Sequence, residues 1–161
     1  MCELEIAEKS AITRVLQNNL SIVNQANQKE KNTKEKKEII GILKEKEINR
    51  GLSEFEEKKD FLKKGMNLGK LSTLLNTNVK YLSLVIKKNK AQNFNLYINN
   101  LRINYIKTKI QNDQNFLKYK ISHLSNLCGY SATSTFSKSF LDITGITPSE
   151  FIQNLKDSMK K

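Results

Sequence analysis

The pattern of residues 121–151 constrains the fold of this chain more than any other feature. Apolar residues recur at helical spacing up to Cys128, stop at Gly129, and resume at Phe136 and Phe140 after a polar segment rich in Ser and Thr. Because Gly has no Cβ, it adopts the left-handed backbone conformation more easily than any other residue. Two short helices around such a turn form a helix-turn-helix. We therefore predict one over about residues 121–143.

A further helix is predicted directly after this unit. Thr147 is a good N-cap, and Pro148 suits the first helical position because its fixed φ angle fits there. Glu150 lies three residues after Thr147, the spacing of a capping box.

The segment resembles the second helix-turn-helix of the AraC/XylS family of transcription regulators. The resemblance to the whole DNA-binding domain of that family covers about residues 52–157. The matching residues are Leu124-Ser125, Gly129-Tyr130, Ser134, Phe136, Phe140, Gly145, Thr147-Pro148 and Phe151. The resemblance implies an all-α fold with two helix-turn-helix subdomains joined by a linker helix. It also implies sequence-specific binding to double-stranded DNA, with RNA polymerase as a further candidate partner.

An internal repeat supports two copies of the unit. Leu71-Ser72 matches Leu124-Ser125 at an offset of 53, and after the turn the offset becomes 54, as between Ile86 and Phe140. One residue inserted in the second turn explains the change. Asn76 stands in the place of Gly129, and Asn is the usual alternative to Gly in a left-handed turn. The first helix-turn-helix is therefore predicted over about residues 68–88.

A helix is predicted between the two copies, over about residues 94–111, because apolar residues continue there without Gly or Pro. Its length of about 27 Å suits a spacer between two recognition helices. Helices that enter successive major grooves on one face of DNA lie about 34 Å apart. Arg102 falls in a Leu-Arg-Ile string that resembles the family's linker-helix signature, and we expect it to have a structural role at the junction rather than a base contact.

Charge is distributed unevenly along the chain. Residues 1–64 contain 14 Lys/Arg against 12 Asp/Glu, whereas residues 65–161 contain 14 against 4. Most of the positive charge therefore lies in the part that carries the repeat, and such a basic region attracts nucleic acid. Charge alone is equally compatible with a generally basic protein, so the motif is needed to decide.

The second helix of each helix-turn-helix is predicted to face the major groove. The outward residues predicted to contact DNA are Val79, Lys80, Ser83, Leu84 and Lys87 in the first copy, and Thr133, Ser134, Ser137 and Lys138 in the second. Neither set contains Arg or Gln, so we expect modest base discrimination with a large contribution from phosphate contacts and DNA shape. A lone lysine is compatible with guanine or phosphate contacts, and Ser134 either contacts DNA or caps its helix.

Residues 1–51 are predicted to be a charged, helical N-terminal extension or linker. Within it, residues 1–24 have a weak amphipathic pattern, and residues 25–38 are either a solvated helix or a disordered linker. The DNA-binding domain is predicted to span residues 52–157, beginning with a helix capped by Ser53.

No catalytic chemistry is visible in the sequence. His123 has no Cys or carboxylate at ligand spacing, and Cys128 is expected to be a buried free thiol. We therefore expect neither an enzyme nor a cofactor or metal, and no membrane span or signal peptide. The expected location is the cytoplasm, on the nucleoid. The alternative hypothesis is a helical protein-interaction module that no longer reads DNA.

Overall fold

The computed structural model describes residues 36–159, which contain helices and turns and no strand. The chain divides into two compact units, and the boundary lies between residues 46 and 47. In the first unit the described residues, 36–46, are helical, with Ile39, Ile40, Ile42 and Leu43 exposed. The amphipathic pattern of residues 1–24, and most of the segment 25–38, lie outside the described residues. The all-α prediction is confirmed.

The second unit begins with helix α1, residues 47–57, which ends before a short 3-10 turn at Asp60–Leu62. Ile48, Leu52 and Phe55 lie in its core, so packing starts one turn before Leu52. The prediction that a helix begins at Ser53 is wrong. Ser53 lies inside α1, and its hydroxyl donates to the carbonyl of Asn49 at 3.2 Å, since a serine within a helix can bond to the preceding turn.

Six further helices follow α1. They are α2 (Leu68–Leu74), α3 (Val79–Lys90), α4 (Phe94–Asn112), α5 (Ile121–Leu127), α6 (Thr133–Thr144) and α7 (Pro148–Ser158). A 3-10 segment at Gln114–Lys118 connects α4 to α5. The long helix expected between residues 94 and 111 is α4, with 19 residues.

Two hydrophobic cores lie along α4. Phe94, Tyr97 and Ile98 pack with buried residues of α1, α2 and α3. Ile103, Ile106 and Ile110 pack instead with α5, α6 and α7. One helix therefore supplies apolar side chains to both subdomains, which makes it a structural element of each rather than a separate rod between them.

Arg102 lies where α4 passes from one core to the other. Its side chain is only 7% exposed, its Nε donates to the carbonyl of Phe61 at 2.8 Å, and its Nη2 donates to that of Lys63 at 3.2 Å. The guanidinium carbon lies 5.1 Å from the centre of the Tyr130 ring in the second subdomain. The structural role expected for Arg102 is confirmed, because these contacts join the 3-10 turn, α4 and the turn before α6.

Within the described residues, no helix combines the length and the apolar character needed to cross a lipid bilayer.

Candidate nucleic-acid interface

The turn between α2 and α3 has the geometry predicted for a helix-turn-helix. Asn76 has a φ of +49°, in the left-handed region. Directly after it, the amide of Thr77 donates to the carbonyl of Ser72 at 2.9 Å, which closes the end of α2. Asn78 then begins α3, and its side chain accepts a hydrogen bond from the amide of Tyr81 at 2.7 Å.

The turn between α5 and α6 repeats this arrangement. Gly129 has a φ of +75°, and the amide of Tyr130 donates to the carbonyl of Ser125 at 3.1 Å. Gly129 also meets a steric requirement that the sequence did not reveal. A Cβ at this position would collide with the backbone carbonyl of Leu62, so the turn packs directly against the chain after α1.

The residue inserted in the second turn is visible at the helix start. Asn78 is two residues after the left-handed Asn76, whereas Ala132, the N-cap of α6, is three residues after Gly129. Beyond this point the two copies stay at an offset of 54. Helices α3 and α6 both have 12 residues, and both end at a left-handed residue, Ala91 with a φ of +55° and Gly145 with a φ of +80°.

The capping predictions have mixed outcomes. Thr147 and Glu150 form the predicted capping box, with Pro148 in the first turn of α7. Ser134 does not cap α6, because the inserted residue places Ala132 at the N-cap and no side chain bonds there. That alternative for Ser134 was therefore wrong. Helix α5 begins at Ile121, and its N-cap is Lys120.

Eight of the nine residues predicted to contact DNA are exposed on α3 and α6. Ser137 is half-buried, while Leu82, Val85 and Ile86 on α3 face the core. Two of the exposed side chains are large and apolar, since Val79 is 47% and Leu84 is 57% exposed. The eight exposed residues are Val79, Lys80, Ser83, Leu84, Lys87, Thr133, Ser134 and Lys138.

Helix α3 is more basic than α6. It contains four lysines and no acidic residue, although one of them, Lys90, forms an ion pair of 2.8 Å with Glu56. Helix α6 contains Lys138 and Asp142, so its formal charge is zero. The two copies therefore share a backbone geometry and differ in the potential that they offer a phosphate backbone.

A cleft of about 450 Å³, lined by both polar and apolar side chains, lies between the two subdomains. Asn95 and Asn99 of α4 line one side, and Ser131 and Thr135, at the start of α6, line the other. Asn99 accepts a hydrogen bond from the hydroxyl of Tyr130 at 3.0 Å. No sequence pattern singles out these residues, since their proximity depends on how α4 and α6 pack. The Asn-rich run at 92–100 is the only local signal of them.

Among the described residues, Cys128 is the only free cysteine, and it is buried. Burial raises the pKa of the Cys128 thiol to about 12, so the group remains protonated, as expected of a buried free thiol. Burial likewise raises the pKa of Tyr130. Between residues 36 and 159, no cluster of His, Cys, Asp and Glu side chains is arranged to hold a metal ion.

Two helix-turn-helix units, each with a left-handed residue in the turn and at the end of its second helix, are joined by one linker helix and define a double helix-turn-helix domain. Comparison with known families agrees. The family described as "Helix-turn-helix domain", which is AraC-type, matches residues 71–154, just over half of the chain. The chain belongs to this family. It therefore carries a DNA-binding domain of the kind used in transcription regulation, not one of an enzyme class.

Solved structures show the same fold. A Listeria innocua protein of unknown function is 26% identical, with a TM-score of 0.56 over 66% of this chain and 94% of that one. The C-terminal domain of AraT, a response regulator from Geobacillus stearothermophilus, is 20% identical, with a TM-score of 0.56 over 67% and 84%. The DNA-binding domain of AdpA, solved with a target DNA, is 9% identical, with a TM-score of 0.59 over 71% and 96%. No curated protein is a significant sequence match to this chain.

Proposed function

We propose that this protein regulates transcription by placing α3 and α6 in successive major grooves on one face of double-stranded DNA. The observation that carries the proposal is the structural repeat. Both helices follow a left-handed turn, have the same length, and are attached to α4 through their own hydrophobic cores. A spacer of 19 residues is about 28 Å long, of the order needed to span one turn of DNA.

The same proposal assigns to DNA contact the nine residues of α3 and α6 predicted from sequence, of which eight are exposed and Ser137 is half-buried. Three ammonium groups, from Lys80, Lys87 and Lys138, can donate to phosphate or guanine. The hydroxyls of Ser83 and Thr133 can form hydrogen bonds with more than one kind of base. Val79 and Leu84 supply apolar surface, which suits the methyl group of thymine. The absence of Arg and Gln from these positions supports weak base discrimination with strong phosphate attraction.

We assign the DNA-binding domain to residues 52–157 together with the preceding turn of α1, because Ile48 belongs to the first core. Residues upstream form an extension of unassigned role. RNA polymerase is the proposed partner through which a DNA-bound regulator acts, and the nucleoid is the proposed location.

The test is binding to a duplex selected from random-sequence DNA, measured by fluorescence anisotropy across a salt series. We expect log Kd to rise linearly with log salt concentration, with a slope of about 0.9 for each phosphate contacted. Affinity that does not change with salt, or no binding at low salt, would favour the alternative, a helical module that binds protein instead of DNA.

The contact residues are tested separately. Lys80→Ala and Lys138→Ala should each weaken binding, whereas Lys156→Ala, an exposed lysine on α7, is the matched control. If Lys156→Ala weakens binding as much as the other two, general charge rather than the two helix faces determines affinity. Protection of two major-groove segments one helical turn apart in a footprint is the expected geometry.

A further inference from the structure

A groove of about 570 Å³ lies between the C-terminal part of α4 and the chain at the end of α1. Tyr105 and Lys109 of α4 line one side, and Glu56 and Lys59 line the other. The volume falls within the range of about 300–1,000 Å³ that is typical of small-molecule sites.

The base of the groove is apolar, and its rim carries two lysines, Lys59 and Lys109, and two carboxylates, Glu56 and Asp113. Phe61, Leu101 and Tyr105 supply the apolar surface, and Phe61 and Tyr105 pack edge to face with ring centres 6.3 Å apart. The Nζ of Lys59 lies 5.8 Å from the centre of the Tyr105 ring, and the Nζ of Lys109 lies 6.0 Å from it. Two ammonium groups, one from the chain after α1 and one from α4, therefore flank one aromatic ring.

The carboxylates that line the groove already have partners. Glu56 Oε1 accepts from the Nζ of Lys90 at 2.8 Å and from the hydroxyl of Tyr97 at 2.7 Å. Asp113 Oδ1 accepts from the backbone amide of Asn115 at 2.9 Å. An aromatic face is a weaker partner for an exposed cation than a carboxylate hydrogen-bonded to it. The groups that lack an anionic partner in this groove are thus the two lysines.

The backbone at Lys59 is also unusual. Its φ is +56°, in the left-handed region that L-residues rarely adopt, and Gly or Asn would take this conformation more easily. Lys59→Gly therefore removes the charge and relieves the strain in one change.

We propose that this groove binds a small amphiphilic anion. Its flat or aliphatic body would pack on Phe61, Leu101 and Tyr105, and its carboxylate or similar acidic group would lie between Lys59 and Lys109. Nucleic acid is not the anion chosen, because no residue that lines the groove belongs to α3 or α6, the two helices assigned to DNA; this choice rests on the proposed function. The rim residue Glu56 also holds Lys90, the last residue of α3, so a ligand here adjoins the first recognition helix.

The probe is 1-anilinonaphthalene-8-sulfonate, titrated into the full chain and followed by fluorescence. N-phenyl-1-naphthylamine, which has the same apolar body without the sulfonate, tests the contribution of charge. The variant Lys59→Gly/Lys109→Ala removes both rim cations, and Lys118→Ala/Lys156→Ala removes two exposed lysines that do not line the groove. We expect the first variant to weaken binding of the anionic probe about tenfold, a loss typical of charge-assisted hydrogen bonds. The affinity of the control variant for the anionic probe, and the affinity of either variant for the neutral probe, should change less than about twofold.

Folding is checked by thermal melts of both double variants and of Lys59→Gly alone. Because Lys59→Gly relieves the left-handed strain, its melting temperature should rise while its affinity for the anionic probe falls, a combination that unfolding does not produce. Equal loss in both double variants, or no loss in Lys59→Gly/Lys109→Ala, would overturn the proposal. Displacement of the probe by duplex DNA would also overturn it, since DNA would then be the bound anion. Absence of DNA binding with the expected probe results would refute the proposed function alone.

Discussion

The two left-handed helix ends, Ala91 and Gly145, provide a matched test of how the repeat is stabilised. They occupy equivalent positions after α3 and α6, with φ of +55° and +80°, but only one is Gly. A side chain in this conformation costs about 1–2 kcal/mol, and Gly returns about 0.4–1 kcal/mol of that through the greater entropy of the unfolded chain. We therefore expect Ala91→Gly to stabilise the domain by about 0.5–1 kcal/mol, because Ala91 is exposed and its methyl group buries little surface.

The reverse change, Gly145→Ala, should destabilise the domain by a similar amount. A Cβ at Gly145 would have no heavy atom within 4 Å, so backbone strain is the only term. Gly129→Ala is the contrasting change, because its Cβ would meet the carbonyl of Leu62 in addition to the strain of a φ of +75°. We expect it to cost more than about 3 kcal/mol, on the scale of severe core defects.

The assay is urea unfolding followed by circular dichroism, with thermal melts as a second measurement. For a domain of this size, a change of 1 kcal/mol corresponds to about 3–6 °C in melting temperature. Ala91→Gly should raise the urea midpoint without changing the slope of the transition. If it lowers stability, or if Gly145→Ala is neutral, left-handed strain does not control these two helix ends. If Gly129→Ala costs no more than Gly145→Ala, the close packing of the second turn is not rigid.

Three further predictions follow from other contacts. The combination Lys80→Ala/Lys87→Ala should reduce the slope of log Kd against log salt concentration by about twice as much as Lys138→Ala, and equal reductions would contradict the greater role given to α3. Thr147→Ala should lower the free energy of unfolding by about 1 kcal/mol, measured in urea, because it removes the N-cap of α7; a Thr147→Ser variant that behaves like Ala would argue against the cap. Hydrogen bonds from the Thr147 amide and side chain lower the pKa of Glu150 in the folded protein. The stability that ionised Glu150 contributes is therefore present above its pKa in the unfolded chain and is lost as the pH falls through its lower pKa in the folded protein. Glu150→Gln should flatten the curve of unfolding free energy against pH over this range.

The structure makes α1 part of the first subdomain. Ile48, Leu52 and Phe55 complete its core, Asn49 accepts a hydrogen bond from the side chain of Asn89 at 2.9 Å, and Glu56 binds Lys90. Since Asn89 and Lys90 are the last two residues of α3, α1 fixes the end of that helix. A change at α1 would therefore act on α3 through direct contacts.

The repeat, its turns and its caps could be predicted from sequence because each depends on local chemistry. A left-handed turn requires Gly or Asn, a capping box requires Thr and Glu three residues apart, and a buried helix face requires apolar residues at a period of about 3.6. The change in offset from 53 to 54 located the inserted residue before α6. It did not reveal that this residue would make Ala132, rather than Ser134, the N-cap. Ser53 is a residue type that favours the N-cap, but it does not begin a helix, because the packed face of α1 extends upstream of it to Leu52 and Ile48.

Only the tertiary structure decided what lies between the two units. The Arg102 side chain donates to the carbonyl of Lys63, which lies 39 residues earlier in the chain, and Gly129 packs against the carbonyl of Leu62. These contacts at the junction depend on α4, which leaves one core and enters the other halfway along its length. The cleft beside Asn99 and the groove beside Tyr105 both arise from the packing of other elements against α4, which no local pattern encodes. The sequence determined the elements and their repetition, because backbone conformation and helix amphipathicity are set by neighbouring residues. The junction, the cleft and the groove required long-range contacts, because they join residues that the sequence separates.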